Sequence, residues 1–169
     1  MKALSIIIFC FSVSISFGQN DLPNREASKL ELALDSIEFY SQDLEESPYF
    51  VTENVLQIFP GEELFIEAEV SDLAFTSMKI VRENLHPKKT IILKFDQNME
   101  GRIHSNMMVS VTNPFSSVLK YSALMYLVGH DKWIETSIVP IRAELTGIEM
   151  WNDVIISLVL KDWTLEEGK

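Results

Sequence analysis

From Leu64 to Val70 the chain alternates: Leu64, Ile66, Ala68 and Val70 are apolar, and Glu63, Phe65, Glu67 and Glu69 are interleaved with them. Period-two alternation sends successive side chains to opposite faces, so this run predicts a half-buried strand with a mostly acidic outer face. The pattern returns in Ile91, Leu93 and Phe95, again in Met107, Val109 and Val111, and at greatest length between Val118 and Pro140. There Leu119, Tyr121, Ala123, Met125 and Leu127 share a face, Gly129-His130-Asp131-Lys132 forms a polar turn, and Trp133 to Pro140 reads as a return strand. The pair predicts a long β-hairpin that serves as the spine of the fold. Val154, Ile156, Leu158 and Leu160 predict a last strand with all four on one side. Shorter strands are expected at Val55–Phe59 and Met78–Arg82, with Pro60-Gly61, Asn84–Pro87, Asp96–Gly101 and Asn113-Pro114 as turns.

The stretch Ser28–Tyr40 carries two patterns. Ala27, Leu30, Leu34, Ile37 and Leu44 fall at helical spacing behind a capping Asn24. Leu30, Leu32 and Leu34 alternate, and Ile37 and Phe39 resume the alternation one residue out of phase, as after a bulge. The β-rich remainder favours the strand. About seven to nine short strands separated by regular turns then predict an all-β fold, a two-layer β-sandwich of immunoglobulin-like character occupying 28–169. The Cys…Trp…Cys signature of immunoglobulin domains is missing, so the likeness is one of architecture.

Composition changes this picture at the N-terminus. Lys2 is the only charge before Asp21, Ala3–Val13 is apolar apart from Ser5 and Ser12, and Ser16-Phe17-Gly18 offers small residues at the positions a signal peptidase reads. Residues 1–18 are therefore expected to be a secretory signal peptide removed after Gly18, since about 15 apolar residues fall short of the roughly 20 that span a bilayer. The polar residues 19–27, with Pro23, read as a flexible lead-in. Cys10, the only cysteine, lies inside the apolar run and lacks the small residues that precede a lipidated cysteine. The mature chain then has no disulfide and no thiol, and packing must stabilise it. The expected location is periplasmic or secreted, with no transmembrane segment in the mature chain.

The net charge is −11, and its distribution is uneven. Residues 19–72 hold 14 acidic and 2 basic side chains, whereas 73–169 hold 11 of each. This excludes nucleic acid, which needs Lys and Arg to displace counterions, and a basic membrane-surface patch. It leaves room for a basic protein partner in the cell envelope that docks on the acidic first third, through a salt-sensitive contact.

Candidate chemistry is sparse. Asp96-Gln97-Asn98-Met99-Glu100-Gly101 resembles the start of an EF-hand loop, but Met107 stands where the bidentate Glu belongs. A turn between strands explains these residues without a metal, and no metal or other cofactor is implied. His86, His104 and His130 all sit in or near predicted turns, too far apart in sequence to form a zinc motif. No Gly-x-Ser-x-Gly elbow occurs. Glu67 and Glu69 are about 7 Å apart by strand geometry, but an acidic solvated face accounts for them. Trp133, Trp151 and Trp163 could stack on a ligand, though small sandwiches use tryptophan mainly as core. Trp151, with Glu149 and Asn152 beside it in a loop expected around Gly147, is the first ligand-binding candidate, and Trp133 is another. The sequence thus points to an exported, non-catalytic β-sandwich acting as a binding or structural module. The alternative is a hydrolase or carbohydrate-processing accessory protein whose Asp, Glu and His come together from several loops.

Overall fold

The computed structural model describes residues 20–168. The expected signal peptide, 1–18, lies outside them. All regular elements among the described residues are strands: β1 (Asn24–Arg25), β2 (Ser28–Ala33), β3 (Phe39–Leu44), β4 (Ser47–Pro48), β5 (Phe50–Thr52), β6 (Val55–Ile58), β7 (Glu62–Ser71), β8 (Ala74–Val81), β9 (Thr90–Glu100), β10 (Ile103–Thr112), β11 (Val118–Leu127), β12 (Ile134–Thr136), β13 (Thr146–Trp151) and β14 (Ile155–Glu166). None of these residues forms a helix long and apolar enough to cross a membrane. Two five-stranded antiparallel sheets pack together as a β-sandwich, one in the order β13-β10-β9-β7-β8 and the other β12-β11-β14-β6-β5. The strand segments outnumber those expected because β1, β4 and β5 are only two or three residues long, too short to show a period, and because β13 forms where the sequence read as a loop.

The inward set from each strand follows the alternation. Leu64 and Ile66 of β7, Leu93 and Phe95 of β9 and Val109 and Val111 of β10 meet Leu119, Ala123, Met125 and Leu127 of β11 across the core. The main partner of β11 differs from expectation. Its return strand β12 is three residues long and forms the sheet edge, while β14 runs the length of β11 on the other side. Trp133 precedes β12 instead of opening a long strand. Beyond Thr136 the chain leaves the sheet edge, touches β11 again only through the isolated Ile141–Leu119 bridge, and then crosses to place β13 against β10 in the opposite layer.

The last strand also departs from simple alternation. Between Tyr126↔Ser157 and Leu127↔Ile155 one extra residue, Ile156, is bulged out. Ile155 therefore faces the main core, whereas Ile156 and Val154 join a second cluster on the other side. A second bulge lies opposite Tyr121, where Asp162 takes a left-handed φ of 56°. The inserted residue shifts the phase, so that Leu158 and Leu160 before it and Trp163 and Leu165 after it all point inward.

Ser28–Tyr40 is strand, not helix. β2 and β3 pair as a hairpin, and the apparent bulge in the sequence is its turn. Asp35 Oδ1 accepts hydrogen bonds from the Ile37 and Glu38 amides at 2.7 and 2.8 Å, closing an Asx-type turn. Leu30 and Leu32 pack with Ile156, Tyr126 and Val128, so the hairpin forms a small third layer on the outer face of the β11–β14 sheet.

The lead-in from Asn20 to Arg25 lies along the β8 edge. The Leu22 amide donates to the Ile80 carbonyl at 2.8 Å, and the Arg82 amide donates to that of Asn20 at 2.7 Å. Pro23 has no N–H to continue the ladder, and the chain turns away to pair β1 with β4. This delivers Arg25 into the protein interior at 3 % exposure. Its guanidinium donates to both carboxylate oxygens of Glu62 (2.9 and 3.4 Å), to Ser47 Oγ and to the Pro48 and Gln57 carbonyls, between the rings of Tyr49 and Phe59.

Candidate functional site

Six of the fourteen acidic residues of 19–72 lie on the β2–β3 hairpin and the segment after it. Glu31, Asp35, Glu38, Asp43, Glu45 and Glu46 are all exposed. Two hydrophobic side chains stand among them at the tip, Ile37 at 84 % exposure and Phe39 at 53 %. Backbone amides of Glu38 and Ile37 hold the Asp35 carboxyl below its ordinary range, which fixes a negative charge beside Ile37. Lys29, the one lysine of this hairpin, is bonded to Glu31 at 2.6 Å. The hairpin therefore presents carboxylates around a small apolar tip.

A second arrangement lies on the outer face of the other sheet. Glu67 is only 7 % exposed, unlike the solvated face expected for it, whereas Glu69 remains exposed. The β8–β9 loop folds over Glu67 and brings His86 Nδ1 to 2.5 Å from Oε2. Lys89 Nζ lies 3.4 Å and Lys79 Nζ 3.8 Å from Oε1. Burial pushes the Glu67 carboxyl up, but hydrogen bonds from His86 and Lys89 and the charge of Lys89 outweigh it and hold the group below its ordinary value. Lys89 is also bonded to Glu69, and Lys79 to Asp21 at 2.8 Å. These partners were illegible in the sequence, where Glu67 reads like any other outward glutamate.

His104 is engaged at both ring nitrogens. The Ala33 amide donates to Gln97 Oε1 at 2.9 Å, which fixes the orientation of the Gln97 side chain. Gln97 Nε2 then donates to the Ala33 carbonyl and to His104 Nδ1, and His104 Nε2 donates to the Asn152 carbonyl. His130 is exposed, its Nδ1 3.3 Å from the Val128 carbonyl. The EF-hand-like string forms the end of β9 and its turn: Asp96 pairs with Lys94, Asn98 donates to Asn106, and Gly101 takes a left-handed φ of 68°. Among the described residues no three His, Cys, Asp or Glu side chains come together as a metal site.

Trp151 and Glu149 share the face of β13 that is turned toward the opposite sheet, and both bind the chain that crosses between sheets. Trp151 Nε1 donates to Thr136 Oγ1 at 3.0 Å, and Glu149 Oε1 accepts from the Val139 amide at 2.8 Å. Asn152 is exposed in the turn that follows. Trp133 is not with them: it leans on Tyr126, 5.3 Å between ring centroids, on the outer side of the β11–β14 sheet. Trp163 is buried and stacked on Tyr121 at 4.8 Å, and its indole N–H meets no acceptor. Burial, then the nearby Glu149 charge, raises the Tyr121 phenol well above its usual value, so it stays neutral.

The seam between the edge strands β5 and β8 holds a cavity of about 550 Å³, lined by Asp21, Pro23, Pro48, Phe50, Met78, Lys79, Ile80 and Arg82. Phe50 and Met78 also line an adjoining depression of about 380 Å³. No protein-family model, curated protein or solved structure matches this chain.

Proposed function

We propose that the protein is an exported, non-catalytic binding module of the cell envelope or exterior, and that the β2–β3 hairpin is its docking element for a basic protein partner. The observation that carries this reading is the pairing of Ile37 and Phe39, both largely in water, with the carboxylates around them. Exposed apolar side chains inside a single-sign field suit a contact that is steered by charge and held by burial. In this reading residues 1–18 are a cleaved signal peptide, motivated by the charged start, apolar run and small-x-small end. The sandwich is taken as immunoglobulin-like in character on its two antiparallel layers.

The test is a photo-crosslinking residue placed at Phe39 in cells. The expected result is an adduct with a basic partner that is absent when the same residue replaces Thr112, and that weakens with added salt. Adducts equal at both positions, or none, overturn the reading.

One observation favours the hydrolase reading instead. A buried carboxylate on His86 Nδ1 with the ring itself half exposed is the geometry of a general base and its orienting acid. Hydrolysis of a generic activated ester lost in His86→Gln and retained in His130→Gln would favour it.

A further inference from the structure

The cavity at the β5–β8 seam combines apolar walls with charged groups. Pro23, Pro48, Phe50, Met78 and Ile80 give it an apolar floor and walls, and three charged residues line it: Asp21, Lys79 and Arg82. Two of these charges cancel, since Lys79 Nζ lies 2.8 Å from Asp21 Oδ1. The hydrogen bond to Asp21 raises the Lys79 pKa, which keeps the ammonium charged. Arg82 is held at its backbone by the Asn20 carbonyl. Among the described residues its guanidinium forms no ion pair. The lining therefore carries a net charge of +1 in a chain whose total is −11.

We infer that this cavity binds a small amphiphile with a single carboxylate head, its head on Arg82 and its apolar body against Phe50, Met78 and Ile80. The volume falls within the range of small-molecule sites, about 300–1,000 Å³, and such sites combine a mostly apolar lining with a few polar groups that fix orientation. Arginine presents a planar fork matched to a carboxylate, which a point charge does not. The site also sets a length. Beyond Phe50 and Met78 the adjoining depression turns polar, with Thr52, Glu53, Asn54, Thr76 and Ser77. An apolar chain that passed this junction would meet a carboxylate and hydroxyls, so a medium-length chain fits best. The inference is independent of the hairpin reading, because cavity and hairpin tip share no residue.

The probe is decanoate, titrated into the ¹⁵N-labelled full chain, with decyltrimethylammonium and a tetrapeptide ending in leucine as comparisons. Saturable shifts are expected at the amides of Leu22, Phe50, Met78 and Ile80, with decanoate binding at least about tenfold more tightly than the cation. Arg82→Gln is exposed and leaves the fold intact, which its thermal unfolding verifies. It should weaken decanoate binding about tenfold and abolish the preference for anion over cation. Met78→Trp should block binding of either amphiphile. Absence of saturable shifts in the millimolar range overturns the inference, as does equal binding of anion and cation or unchanged binding by Arg82→Gln. Tighter binding of the tetrapeptide than of decanoate overturns it in favour of a peptide C-terminus.

Discussion

Gln97 holds Ala33 by both of its backbone polar groups: the side-chain carbonyl accepts from the Ala33 amide at 2.9 Å and the side-chain amide donates to the Ala33 carbonyl at 2.8 Å. One side chain thus imitates a strand neighbour at the end of β2 and ties the third layer to the opposite sheet. Gln97→Leu leaves both Ala33 groups and His104 Nδ1 without partners. The expected loss is about 1–3 kcal/mol, concentrated in the hairpin. Amide exchange should accelerate at Leu32 and Ala33 and change little at Leu93 and Val109. Uniform acceleration across the sandwich would show that the contact is not local.

Glu67 predicts a specific pH response. Its carboxyl is held below the ordinary value in the folded protein by His86 and Lys89, against the opposing effect of burial. A depressed carboxylate stabilises the fold fully above its unfolded value, about 4.3, and that contribution disappears as pH falls through the lower folded value. Wild type should exceed Glu67→Gln in urea midpoint at pH 7, and the gap should close below about pH 4. A gap that stays constant with pH would mean that the cluster does not act through the charge of Glu67.

Arg25 is the buried charge on which the β1–β4 corner depends. Arg25→Met removes the counter-charge of Glu62, at 21 % side-chain exposure, leaving it the Phe59 amide, and takes a donor from the Gln57 carbonyl. Breaking a buried pair from one side costs about 3–5 kcal/mol. Arg25→Lys should recover only part of this, because an ammonium cannot serve Glu62, Ser47, Pro48 and Gln57 at once. Urea unfolding of the two variants checks the order.

Gly147 is required by its neighbour, not by its backbone angle. A Cβ there would come within 2.7 Å of Ile141 Cγ1 and 2.8 Å of Cδ1. Ile141 is itself fixed, with backbone bonds to Leu119 in both directions. Gly147→Ala should therefore cost about 1–3 kcal/mol through overpacking. In the double variant with Ile141→Ala, the two losses should fall short of their sum, since the small residue makes room for the methyl group. Strict additivity would place the strain elsewhere.

The sheets were legible because a strand buried on one face must alternate, and β7, β9, β10 and β11 do so over most of their length. What the sequence concealed were the phase changes. Ile156 and Asp162 are single inserted residues, and nothing in their identity distinguishes a bulge from a strand. The partner of β11 was equally hidden: pairing by proximity in the chain favours β12, whereas β14 wins because it can bury Leu158, Leu160 and Trp163 along the full length of the strand. Long-range polar partners left no signal at all. Glu67 and Arg25 find theirs through the β8–β9 loop and the β1–β4 corner, and such encounters have no local signature. Trp151 and Glu149 were visible only as neighbours in a predicted loop; that they share one face of a six-residue strand emerges from the pairing of β13 with β10. The crossing segment they bind, Thr136 to Val139, comes beside them only once the sheets are stacked.

The lead-in and β14 lie in different layers, and this gives the molecule a mechanical grain. β14 runs between β11 and β6 and is hydrogen-bonded on both sides, whereas Asn20–Leu22 clings to the rim of β8 by a short ladder. Asp21 and Pro23, part of the wall of the β5–β8 cavity, therefore hang on the rim ladder and on the Asp21–Lys79 pair, and detaching the lead-in would open that wall without breaking a pair within either five-stranded sheet.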